Sequence, residues 1–156
     1  MLLGHRTLNG AGETIMPFPC NPTATFNAGD VVSLDSNGLL VGGVQGTGAN
    51  TKALGWATGM ANDPTEPALQ QANGVNVLIG GDNQVAAMRF TGTAPVGALA
   101  ETGDYELAVS GTSQTVNYGA TTNVVFRSVS VLQNNATAGD YRCEVMIPEA
   151  HCQAFG

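Results

Sequence analysis

The chain has 156 residues, a formal net charge of −7 and only 11% charged residues, while glycine occurs 21 times. That length suits one domain with a core of its own. The five basic residues, Arg6, Lys52, Arg89, Arg127 and Arg142, stand singly, which argues against a phosphate-binding patch and against nucleic acid as the main ligand. Charge is well below the roughly 25% usual in globular domains, so polarity rests on Thr, Ser, Asn, Gln and the backbone. Such groups cost far less to desolvate than ammonium or carboxylate groups, and the composition suits a surface buried against neighbours.

The opening MLLGHRTLNGAGE lacks the long apolar core of a secretory signal. No later stretch approaches the ~20 apolar residues of a membrane span, so no membrane partner is expected. Residues 1–26 contain Gly4, Gly10, Gly12, Pro17, Pro19 and Pro22 without sustained periodicity, and read as an extended N-terminal arm. Residues 27–156 read as one β-barrel domain.

Within that domain, Val31, Val32 and Leu34 alternate into the turn Asp35-Ser36-Asn37-Gly38, and Leu39, Leu40 and Val41 return as the partner strand. Strand-like runs cover 30–34, 39–44, 53–58, 75–79, 84–90, 105–109, 114–118, 124–132 and 141–147. Their short spacing and glycine-rich joints predict an all-β fold, a small antiparallel barrel or sandwich. One short helix is predicted over 63–74, with Asp63 as cap, Pro64 in the first turn, Glu66 at the reciprocal capping site and Asn73-Gly74 as terminator. Gly80-Gly81-Asp82-Asn83 is expected to join 75–79 and 84–90 as a hairpin. A final hairpin places Tyr141, Cys143, Val145 and Ile147 on an apolar face, with Arg142 and Glu144 on the other.

Catalysis needs convergent groups, and the two histidines are His5 in the arm and His151 near the C-terminus, both expected to face solvent. No Gly-x-Ser-x-Gly elbow is present, so no catalytic residue is assigned and an enzyme is not expected. Cys20, Cys143 and Cys152 are odd in number and widely spaced, which suits free thiols in a reducing cytoplasm, with Cys143 buried. No paired cysteine motif supports a metal site. Asp30, Asp104 and Asp140 each follow a glycine, but the acidic density of a calcium loop is missing, and Gly-Asp turns entering strands are the better reading. GTGANT at 46–51 lacks the lysine of a phosphate loop, and no cofactor is expected.

The ordered series FNAGDVVSLDSNGLLV, ALGWATG, VNVLIGG and SVSVLQNNATAGDYRCEVMIP resembles the small capsid cement or decoration proteins of tailed bacteriophages. The likeness spans most of residues 27–148 and weakens between Ala61 and Tyr118. It implies a non-enzymatic β-barrel, made in the bacterial cytoplasm, that binds the outer surface of the assembled head and stabilises it. The implied partners are the major capsid protein and two further copies in a homotrimer.

Leu2, Leu3, Leu8, Ile15, Met16 and Phe18 give the arm more apolar side chains than a solvated tail needs, and they are the candidate capsid-binding residues. Packing of the arm on its own barrel or on a neighbouring subunit is the competing reading. The alternative function is a phage tail or fibre module that binds host carbohydrate. It would require Trp56, Tyr105 or Tyr118 exposed on one face, whereas the apolar run around Trp56 favours a core position.

Overall fold

The computed structural model describes residues 2–8, 10, 12–65, 74–93, 104–135 and 140–156. Its strands are β1 (Leu2–Thr7), β2 (Ile15–Phe18), β3 (Val31–Leu34), β4 (Leu40–Gly42), β5 (Gly55–Ala57), β6 (Val75–Ile79), β7 (Gln84–Thr91), β8 (Asp104–Ser110), β9 (Ser113–Asn117), β10 (Phe126–Asn135) and β11 (Asp140–Met146). The fold is all-β, and every strand-like run read between 30 and 147 is a strand. The predicted helix over 63–74 lies for the most part outside the described residues. At its start, Asp63 Oδ1 accepts the backbone N–H and the hydroxyl of Thr65, at 2.8 and 2.6 Å.

One sheet runs β1-β7-β11-β10-β8-β9, and it closes where β9 pairs in parallel with β7 through Phe90 and Val116 and through Thr91 and Asn117. Five strands therefore form a barrel. β7 is long enough to serve two neighbours along one side, β1 opposite Gln84–Met88 and β9 opposite Phe90 and Thr91. Closure removes the open edges of these five strands, which would otherwise offer unpaired N–H and C=O groups to other chains, and leaves β1 outside as a terminal strand. Inside, Phe90, Tyr105, Tyr118 and Tyr141 pack edge-on or tilted, with ring centroids 4.7–5.4 Å apart. The Tyr118 hydroxyl lies 2.7 Å from buried Ser128 Oγ.

The second sheet runs β2-β6-β5-β3-β4 and is antiparallel throughout. Its β3–β4 hairpin is the one expected from the Asp35–Gly38 turn. Asp35 Oδ1 accepts the N–H groups of Asn37 and Leu39, and only Gly38 takes a positive φ, of 74°. Beyond β2 the chain reaches across to β4, where the Leu40 N–H donates to the Pro19 carbonyl and the Asn21 N–H to the Leu40 carbonyl.

The two sheets share the core. Trp56 is fully buried between cross-strand partners Val31 and Leu78, and its indole N–H meets Met88 Sδ of the barrel at 3.4 Å. Gln114 of β9 clips the main chain of β3, accepting the Val31 N–H at 2.5 Å and donating to the Val31 carbonyl at 3.2 Å. Gln153 makes the same pair of bonds to Leu34. These side-chain amides complete main-chain hydrogen bonding where the sheets meet.

Two expectations change. The segment 1–26, read as an arm without regular elements, carries β1 on the barrel and β2 on the second sheet. A register shift between Leu2 and Gly4 breaks the alternation of β1. Pro17 is tolerated because β2 ends its sheet and one side of it needs no ladder. The expected hairpin around Gly80–Asn83 is instead a crossover, because β6 and β7 belong to different sheets. There the Gly80 N–H bonds to the Leu54 carbonyl and the Gly81 N–H to the Ile147 carbonyl. A Cβ on Gly80 would lie 2.9 Å from that of Ile147, so this step between layers depends on the missing side chain.

Candidate functional site

Among the described residues the chemistry-bearing side chains do not converge. His5 pairs with Glu13, Nδ1 to Oε2 at 2.9 Å, on the outside of the barrel. His151, expected in solvent, is instead buried, with Nδ1 2.9 Å from the Thr51 carbonyl oxygen. The single-turn segment Glu149–His151 draws it in, because the His151 carbonyl accepts the Ala53 N–H and fixes the C-terminal chain beside β5. Among the described residues no three His, Cys, Asp or Glu side chains gather as a metal site.

Each thiol is free, and Cys143 and Cys152 are fully buried. Trp56 and Tyr118 are buried as well, and Tyr105 is half-buried against Tyr118. The aromatic platform that carbohydrate stacking would need is therefore not formed from these three rings.

The N-terminal strands make the more distinctive surface. Leu2 and Phe18 turn inward and pack against the core cluster. Leu3, Leu8, Ile15 and Met16 do not, and they remain 41%, 48%, 45% and 48% exposed. Ile15 and Met16 sit on β2 opposite Leu78 and Val77, so they extend a buried apolar ladder out to the sheet margin. β1 and β2 are the terminal strands of the two sheets, so apolar side chains and strand edges occur together. Of the six residues named from sequence, four are thus available for contact and two are used by the fold.

β1 is tied down near both of its ends. The Arg6 guanidinium grips Glu144 of β11 with two hydrogen bonds, 2.6 Å from Nε to Oε2 and 3.2 Å to Oε1, and Ser130 Oγ donates to Oε1 at 2.8 Å. Those donors, Arg6 foremost, hold the Glu144 carboxyl below the ordinary carboxylate range. At the start of β1 the Leu2 N–H donates to the Gly29 carbonyl at 2.6 Å, tying this strand to the turn before β3.

Met60, Val109, Leu132 and Phe155 are also exposed apolar side chains, and they escape a reading from sequence. Val109 and Leu132 lie within strand-like runs, where an apolar residue is assigned to the core unless the register is known. Compared with protein-family models, with characterised proteins and with solved structures, the chain matches none.

Proposed function

We propose that this chain is a structural decoration protein of a tailed-bacteriophage head. It binds the outer surface of the assembled shell through the major capsid protein, acts as a homotrimer and performs no catalysis. The observation that carries this reading is the placement of Leu3, Leu8, Ile15 and Met16, half-exposed on or just beyond the terminal strands of two sheets. The order of strand motifs and the low charge support it, since neutral polar surface is cheap to desolvate over a wide contact. Each Leu, Ile or Met that becomes well buried contributes roughly 1.5–3 kcal/mol, and four such residues suffice for an anchor.

The test is binding to preassembled empty heads of the phage that carries the coding sequence. Met16→Ser and Leu8→Ser should each weaken binding about tenfold or more, and the fourfold variant with Leu3→Ser and Ile15→Ser should fail to bind while keeping its melting temperature. Unchanged binding by the folded fourfold variant, or absence of the protein from mature particles, would overturn the reading.

A further inference from the structure

A groove of about 570 Å³ lies where the chain after β2 meets the tip of the β8–β9 hairpin and the end of β4. Asp30 lies in its wall and is 4% exposed. One carboxylate oxygen, Oδ2, accepts the Asn27 N–H at 2.9 Å, whereas Oδ1 is sealed from solvent and meets no hydrogen-bond donor among the described residues. A buried carboxylate oxygen is among the most costly groups to leave unmatched.

The segments on either side of the Asn27–Asp30 turn are braced. Asn62, the one non-glycine described residue with a positive φ, of 47°, directs its side-chain NH2 at the carbonyls of Asn21, Pro22 and Ala24, at 3.1, 3.2 and 3.1 Å. That brace fixes one wall. Gln114 fixes another by holding both polar groups of Val31, the residue after Asp30.

We propose that this groove binds the ammonium or guanidinium end of a lysine or arginine side chain presented by an extended segment of a partner polypeptide. Among the described residues of the lining Asp30 is the only ionisable group, with no Lys, Arg or His beside it, and the chain as a whole is negative. A cation therefore matches both the charge and the missing donor, whereas a neutral hydroxyl matches only the latter. Met60 and Val109, 39% and 61% exposed, offer apolar contact to the methylene stem. A calcium ion would need six or more oxygen ligands and is poorly served by one carboxylate. A sugar would lack a ring to stack on, because Phe26, the only aromatic residue among the described residues of the lining, is buried.

The cation is assigned to a different protein. Within this chain Arg6 and Arg127 are ion-paired, Lys52 donates to the Ala150 carbonyl, and Arg142 has an interaction of its own, which leaves exposed Arg89 of β7 as the cation that a second copy would have to offer. Because Oδ1 is sealed in this conformation, the incoming group must part the Asn27–Asp30 turn, and the amides of that turn report its arrival. The inference is independent of whether the N-terminal strands contact a shell.

The test is a titration of the ¹⁵N-labelled protein with the peptide acetyl-Thr-Lys-Val-amide and with its norleucine counterpart, which keeps the stem and lacks the charge. The lysine peptide should give saturable shifts at the amides of Asn27, Asp30 and Val31 and at the Gln114 side chain. The norleucine peptide should bind at least about tenfold more weakly, and Asp30→Asn should lose a similar factor. Val109→Lys, at an exposed rim position, should supply an internal ammonium and abolish binding without disturbing the fold.

Absence of a saturable shift up to about 10 mM peptide, the margin of measurable affinity, would overturn the proposal. Equal binding of the two peptides would do the same, as would stronger shifts with maltotriose. A change of oligomeric state shared by Asp30→Asn and Arg89→Ala would assign the cation to a second copy and overturn the claim of a foreign partner.

Discussion

Cys20, Cys143 and Cys152 show how far a side chain's chemistry depends on its burial. Burial is the leading cause that raises all three thiols above their ordinary range, and it pushes Cys143 up to about 11. Cys20 is only half-buried, so at about pH 8 iodoacetamide should label it first. Cys143 and Cys152 should react at least about a hundredfold more slowly until urea unfolds the chain, and mass spectrometry of timed samples resolves the order. Labelling of Cys143 as fast as Cys20 in the folded protein would contradict the buried assignment. At Glu144 the sign is opposite. Its folded-state carboxyl lies below the unfolded value, so the stabilisation is complete above the ordinary carboxylate range and is lost as pH falls through the folded value. Glu144→Gln should cost about 1 kcal/mol or less near pH 7, given a half-exposed Arg6 partner, and the gap from the unsubstituted protein should narrow as pH falls below the ordinary carboxylate range. Urea midpoints at about pH 7 and below that range decide it.

At the scale of elements, the second sheet depends on how closely β5 approaches β6. A Cβ at Gly55 would collide with the Leu78 carbonyl, which belongs to the backbone and cannot swing aside. Gly55→Ala should therefore separate the strands and destabilise the protein by about 1–3 kcal/mol or more. Gly4→Ala provides the contrast, since a Cβ there meets nothing within 4 Å and the change should stay within about 0.5 kcal/mol. Equal denaturation midpoints for the two variants would refute the close-approach argument. β1 is added outside a barrel that five other strands already close, so its attachment rests on one ladder, the inward Leu2, the Arg6–Glu144 pair and the bonds of the Leu2 N–H to Gly29 and of the Gln84 side chain to the Arg6 carbonyl. Amide exchange in β1 should accordingly be faster than in β7 or β11.

For the whole molecule, sparse charge and two terminal strands with exposed apolar side chains favour burial against further copies. A trimer is expected, and native mass spectrometry at micromolar concentration should show three chains as the main species. Only monomer in solution and on particles would rule it out. A protein that binds the assembled shell and not its parts stabilises the shell by mass action. Under the proposed function, heads that carry the protein should release their genome at a higher temperature than heads stripped of it, and equal release temperatures would argue against that reading.

Much of this architecture is legible in the residues themselves, because strand formation and turns are decided over a few positions. Alternation at 75–79 and 141–147, and the Asp35–Gly38 turn, need only neighbouring side chains, and the β3–β4 and β10–β11 hairpins follow from them. Composition also sufficed to nominate the apolar N-terminal residues. What it could not decide is which strands become partners across long separations. β1 and β2 are short, interrupted by a register shift and by Pro17, and find their ladders on β7 and β6, far along the chain. The glycines at 80 and 81 read equally well as a hairpin turn or as a step between layers, and only contacts with Leu54 and Ile147 select the step. The same holds for the sites. Leu2 and Leu3 are identical in sequence terms, yet one packs against the core and the other is exposed. His151 is buried by a bond to Thr51 a hundred residues away, and the unmatched oxygen of Asp30 exists only because distant segments close around it. Local preference sets the elements, whereas burial and polar matching arise from contacts that no short window of sequence contains.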